Sequence, residues 1–170
     1  MNEKILQGYF QNPTKGKISL DGVVKEIVNY MSEKSDNFYD VIVGCDSSSG
    51  LEPYFPVVVV VLRKGEGGRF FLKKIKYPEK KFYNFRQRIL EEVLLSCELA
   101  LFLRDHLGEA VNNSLADLTY EFRYIHADVG ENGATKDMIK EVTGLIKGNG
   151  FEPKIKPEAY VASVVADRYA

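Results

Sequence analysis

The chain has 170 residues, 45% of them hydrophobic and 28% charged, with a formal net charge of -1. That balance belongs to one folded domain with a sizeable core and excludes a disordered tail; 14 Gly and 6 Pro exclude collagen-like repeats. Two cysteines, Cys45 and Cys97, both inside apolar runs, exclude a disulfide scaffold and read as buried thiols of a reducing compartment.

Residues 1–18 read as a loose lead-in with turn residues at Asn12-Pro13 and Gly16. Ser19 is placed to cap a helix over about 20–34, because Leu20, Val23, Val24, Ile27, Val28 and Met31 follow at helical spacing. Tyr39 to Cys45 is a strand that ends at Asp46, before the Ser47-Ser48-Ser49-Gly50 turn. Val57 to Leu62 is a β-branched second strand, and Arg69 to Tyr77 a third across the Gly65-Glu66-Gly67-Gly68 loop. These three make an antiparallel meander. Asn84 opens a long helix to about His106 or Leu107, which Gly108 is expected to stop. A strand runs from Leu118 to Val129, and Thr135 is placed to cap a helix through Met138, Val142, Leu145 and Ile146. A short strand, Phe151 to Ile155, precedes a last helix with Pro157 in its first turn.

The expected fold class is α/β: a mixed five-stranded sheet, the meander followed by strands alternating with helices, with helices on both faces and an N-terminal helix. Residues 1–37 form the lead-in and helix packed on the core, and 38–170 the main domain. The longest apolar stretch, Phe55 to Leu62, is far short of the roughly 20 residues that span a bilayer. The opening MNEKILQGYF lacks the apolar core of a signal peptide, so a cytoplasmic location is expected.

The near-zero net charge hides a segregation. Residues 63–88 hold ten basic and two acidic residues, or +8, and the remainder carries -9. Such a stripe suits an anionic partner such as a nucleic-acid backbone; it equally suits a solvated hairpin edge kept from pairing by lysine. Phe82, Tyr83 and Phe85 interleave with Lys80, Lys81 and Arg86, for base stacking or for core packing.

Acids that interrupt apolar elements carry the chemistry. Asp46 ends the first strand; its alternative is an Asx-turn with Ser48. Asp128 shares a parity with Tyr124 and His126, and a glycine-rich turn follows. If these two strands are neighbours, about 4.8 Å apart, two carboxylates meet at one edge. Anions that close need a divalent cation between them. Glu92 borders the sheet-facing side of the long helix, with Glu91 and Glu98 as other candidates. Asp167 interrupts the apolar last helix, and pairs with Arg168 or a lysine elsewhere if it has no part in a site. An oxygen-only set of four carboxylates suits Mg²⁺ or Mn²⁺, and two such ions about 3.5–4 Å apart can stabilise both oxygens of a phosphodiester displacement.

This order of elements with these acids resembles the ribonuclease H-like superfamily. Three stretches are similar to its small bacterial YkuK-like family: Val43-Gly44-Cys45-Asp46-Ser47-Ser48, the run HADVGENGATK from His126 to Lys136, and KIKPEAYVASVVADRY from Lys154 to Tyr169. The resemblance covers about residues 38–170. It implies a metal-dependent nuclease acting on RNA or DNA, with Asp46, Glu92, Asp128 and Asp167 as catalytic metal ligands. Some ribonucleases H have a mobile histidine before the last helix, where this chain has Lys154 and Lys156. Those two, with Lys73, Lys74, Lys80, Lys81 and Arg86, are the candidate substrate-binding residues. The alternative is a non-catalytic nucleic-acid-binding or scaffold module on the same fold. Other chemistries lack their motifs: there is no GxSxG and no GxxxxGK[ST], and two His and two Cys are scattered too widely for zinc.

Overall fold

In the computed structural model residues 3–170 are described. The elements are α1 (Glu3–Leu6), β1 (Phe10–Asn12), β2 (Gly16–Ile18), α2 (Leu20–Glu33), β3 (Phe38–Cys45), β4 (Tyr54–Arg63), β5 (Gly68–Lys76), α3 (Phe85–Asn112), β6 (Thr119–His126), α4 (Ile139–Gly148) and β7 (Glu152–Lys154). A terminal helix follows, widely wound over Val161–Ala166 and tightening at Asp167–Tyr169.

Strands β3 and β4 form the centre because their β-branched runs offer no polar face to water. Val57 to Val61 are all buried. The meander pairs antiparallel as expected, with Val43 opposite Val59 and Val58 opposite Leu72. β6 joins β3 in parallel, and β7 joins β6. Ser19 caps α2 as expected, its Oγ accepting from Gly22 N at 3.1 Å, and Asn84, which opens α3, caps it through Oδ1, which accepts from Gln87 N at 3.0 Å.

The sheet has seven strands rather than five, in the order β2-β1-β5-β4-β3-β6-β7. The two extra strands are β1 and β2, in the segment read as a loose lead-in. Asn12 ties that hairpin down: its Oδ1 accepts from Thr14 N (2.9 Å) and Lys15 N (2.8 Å), and its Nδ2 donates to Phe70 O of β5 (2.9 Å). Three-residue strands are too short to show a periodicity. Gly108 does not stop α3, which continues to Asn112 because Leu107 and Val111 still pack on the core. The penalty for one helical glycine, about 1 kcal/mol, is small beside that packing. Strand β6 ends at His126, three residues before Val129, where Ala127 N turns to Lys154 O. Thr135 stands before a tight helical turn, Lys136–Met138, that leads into α4 at Ile139, but its side chain makes no cap bond there; its Oγ1 accepts from Gly130 N at 3.1 Å and closes the 130–135 loop. Pro157 lies in the turn ahead of the last helix.

The two faces of the sheet are covered unequally. Ile5, Ile27, Leu99, Leu103, Val142 and Ile146 bring α1 to α4 onto one face, against Val41, Val43, Val57 and Val59. The opposite face has only the terminal helix, whose Val161 and Ala166 pack on Ile42, Val58, Val60 and Leu72. Side chains alternate faces along a strand, so Asp46, in step with Ile42 and Gly44, belongs to this thinly covered face.

Candidate active site

β3 and β6 run side by side with Gly44 opposite His126, so Asp46 and Asp128 each stand two residues beyond one register position. Both leave the sheet at the same edge. Asp46 is pinned there, its backbone N donating to Pro56 O at 3.3 Å, and its side chain is 8% exposed. Asp46 Oδ1 accepts from Ser47 N at 2.8 Å and Ser48 N donates instead to Tyr54 O at 3.1 Å, so the Asx-turn to Ser48 does not form.

Asp167 comes from above, on the terminal helix. Besides its apolar packing, that helix meets the sheet closely at Gly44 and at His126. Gly44 has no side chain, and a Cβ there would lie 2.9 Å from Ala162 N. His126 Nδ1 accepts from Val161 N at 3.2 Å, and the Tyr160 ring stands edge-on to the imidazole at 5.0 Å. Burial, aided by Lys154, pushes the His126 imidazole down to about 4, so it is neutral and acts as an acceptor. His126 is therefore an anchor for the helix that carries Asp167.

Glu92 is the glutamate of α3 that reaches the aspartates. It is buried, and Ser47 Oγ donates to its Oε1 at 2.5 Å. Glu91 turns instead to the Tyr77 hydroxyl and to Lys80, 3.6 Å away. Glu98 lies beside Cys97, whose thiol is pushed up to about 11 by burial and then by that carboxylate. The Cys45 thiol is likewise pushed up, by burial first and then by Glu92 and Asp46, and stays protonated.

Electrostatics tie the four carboxylates together. Asp46 is raised from 3.8 to about 7, by burial first, then by its side-chain hydrogen bond with Asp167 and by the charge of Asp128; only Ser47 N opposes. Glu92 is also raised, by burial above all and then by Asp46 and Asp128, against the Ser47 hydroxyl and Arg88. Lys156 Nζ lies 3.2 Å from Asp128 Oδ1, a charge contact without hydrogen-bond geometry, which leaves that buried oxygen with no hydrogen bond. Among the described residues no three His, Cys, Asp or Glu side chains stand close enough to grip an ion as they are. The donor set suits a hard dication: its donors are all oxygens, and Asp128 Oδ1 is buried without a hydrogen bond.

A pH dependence follows. The folded pKa of Asp46 lies above the unfolded value, so its contribution to stability is full below pH 3.8 and is lost as pH rises through about 7. The Asp46→Asn variant lacks this loss. Without metal it is expected to gain about 2–4 kcal/mol on the parent between pH 4 and pH 8. Urea melts at the two pH values measure it, and a constant difference would contradict the assignment.

The basic residues divide. Lys73 faces the helix side, where its Nζ donates to Ile5 O (3.4 Å) and Gln7 O, so it caps α1 instead of facing the site. Arg86 pairs with Glu141 at 2.5 Å, and Lys80 with Glu91. Arg63, also counted in the basic stripe, is buried and donates to the Tyr39 hydroxyl at 3.0 Å and Tyr30 O at 2.9 Å. Lys81 is exposed. Lys74, opposite Pro56, and Lys154, opposite His126, share the face of Asp46. Phe82 is core, packed on Phe55 at 5.0 Å, whereas Tyr83 and Phe85 are exposed. Ser47, Gly44 and Gly130 are site residues the sequence reading passed over; the first two directly flank the Cys45-Asp46 pair.

A model of the family described as "Ribonuclease H-like" matches residues 22–170. A Bacillus subtilis protein named "Uncharacterized protein YkuK" is 28% identical over 167 residues, covering 94% of this chain and 95% of its own length. No solved structure matches the chain significantly. No helix among the described residues is long and apolar enough to cross a membrane.

Proposed function

Because the chain belongs to the ribonuclease H-like family, we propose that it is a nuclease that hydrolyses phosphodiester bonds in RNA or DNA with Mg²⁺ or Mn²⁺. The observation that carries this reading is Asp46: an acid at a strand end, with Asp128, Asp167 and Glu92 around it, raised to about 7. Asp46, Glu92 and Asp128 would hold one ion, with Asp167 and Asp46 completing the shell of a second. Bound there, such ions supply charge stabilisation to the attacking and leaving oxygens of an in-line displacement. The chain's own groups prepare the site. The Ser47 hydroxyl fixes the Glu92 carboxylate, and the Ser47 amide orients Asp46. His126 keeps the Asp167 helix in place. Lys74 and Lys154, on the same open face, are cations for the phosphates on either side of the scissile one.

The test is a thermal melt of the metal-stripped protein with and without Mn²⁺, followed by cleavage assays on single-stranded, double-stranded and hybrid substrates. At about 100-fold excess over its dissociation constant, Mn²⁺ is expected to stabilise the fold by about 2.7 kcal/mol. For a chain of this size that is a rise of roughly 5–10 °C in Tm. Nucleic-acid binding with no manganese-dependent rise in Tm would support the non-catalytic module instead.

A further inference from the structure

The geometry points to Lys156 as a built-in counter-cation that occupies the Asp128 side of the site and competes with a divalent ion for it. This inference rests on the metal-site reading above and adds a residue that sets the affinity. Three observations carry it. The Lys156 ammonium lies 3.2 Å from Asp128 Oδ1, an oxygen that is buried and has no hydrogen bond. That contact is electrostatic, so it can be exchanged for a stronger cation without breaking a directional bond. The lysine is also held in place by its backbone, Lys156 N donating to Val129 O at 2.8 Å.

The third observation concerns the stem. Gly130 faces the lysine's methylenes, and a Cβ there would lie 3.0 Å from Lys156 Cβ and 3.4 Å from Lys156 Cδ. The missing side chain makes a channel along which the stem lies flat over the 128–130 turn. Gly130 is not in the left-handed region, so its conformation does not require glycine. Contact with Lys156 is a physical reason for glycine at this position.

The charges around the ammonium favour a role in the site. Asp128 acts on both Asp46 and Glu92. A single positive charge on Asp128 offsets one of the four carboxylates. A divalent ion arriving at Asp46, Glu92 and Asp128 must displace the ammonium, whose long flexible stem lets it swing toward solvent, where it is 46% exposed already. Once displaced, it stands at the rim as a cation for a phosphate. The lysine thus lowers metal affinity in the resting protein and is released when the ion binds.

The experiment is calorimetric titration of the metal-stripped full chain with MnCl₂, without nucleic acid. Lys156→Met removes the competitor and keeps the stem; it is expected to tighten Mn²⁺ binding about tenfold. Lys156→Arg keeps the charge and is expected to stay within about twofold of the parent. Gly130→Ala, which pushes the stem off its channel, is expected to tighten binding by an intermediate amount, and it tests the same idea if Lys156→Met does not fold. Parental binding with unchanged or weaker binding in Lys156→Met and Gly130→Ala overturns the inference alone. Absence of Mn²⁺ binding in the parent and in folded variants overturns it together with the metal-site reading.

Discussion

Asp46→Asn and Asp128→Asn are each expected to abolish manganese-dependent cleavage while leaving the protein folded. Asparagine keeps the shape of aspartate and removes its charge. Asp46 is the acid that both flanks of the cluster share: it touches Asp167 on one side and feels Asp128 and Glu92 on the other. Removing a preorganised electrostatic group from an active site typically lowers the rate by about 10²–10³. A residue serving two ion positions belongs at or beyond the upper end. The fold should not suffer, because Asp46 carries an uncompensated charge when ionised. At pH 8, without metal, the Asp46→Asn melt should lie above that of the parent, and added Mn²⁺ should no longer move it. The two readouts therefore run in opposite directions, which a variant that merely damaged the fold could not produce. Cleavage retained in both variants would sink the mechanism.

The central elements were legible in the sequence because they are long and strongly patterned. The Val57–Val61 run can only be an interior strand. The spacing of Leu20, Val23, Ile27 and Met31 can only be a helix with one buried face, and Ser19 and Asn84 cap where a cap is needed. Asp46 and Asp128 were found because a carboxylate at the end of an apolar strand needs a reason. What the sequence hid has two physical sources. Short strands such as Phe10–Asn12 carry too few residues for a period, and their pairing depends on one asparagine that reaches β5 from 58 residues away. Charge in a stripe says nothing about direction. Lys73 and Lys74 are chain neighbours, yet strand alternation turns the first toward α1 and the second toward the face of Asp46. His126 is silent in the sequence in the same way, since its burial and its acceptor role toward Val161 N come only from the fold.

The unequal cover of the two faces divides the residues of the cluster between two parts of the fold. Four helices bury one side of the sheet, and the larger core they form fixes β3, β4 and β6 in register. The opposite side has a small apolar cluster and one terminal helix. Asp46 and Asp128 thus stand at the ends of strands fixed by the larger core, while Asp167 rides on a separate element seated on the opposite face by the buried Val161, Ala162 and Ala166.

That division makes Gly44→Ala the most informative packing variant. The backbone at Gly44 is not in the left-handed region, so alanine meets no conformational strain in the strand. Its cost is collision: the added Cβ would lie 2.9 Å from Ala162 N, 3.0 Å from Val161 Cγ1 and 3.1 Å from Val161 C. Two of these are backbone atoms, so no rotamer relieves the clash and the terminal helix must lift. Overpacking of this kind destabilises by about 1–3 kcal/mol. The local result is larger than the global one. Lifting Val161 takes its N–H from His126 Nδ1 and admits water to the imidazole, so the His126 titration should climb from about 4 toward its ordinary 6.5. Asp167 leaves Asp46 with the same movement, and the manganese-dependent rise in Tm should shrink although no ligand has been changed. Proton NMR of the His126 ring across pH 3–8 reads the first effect, and the melt reads the second. An imidazole still titrating near 4, with the parental response to Mn²⁺, would show that the terminal helix is not seated through Gly44.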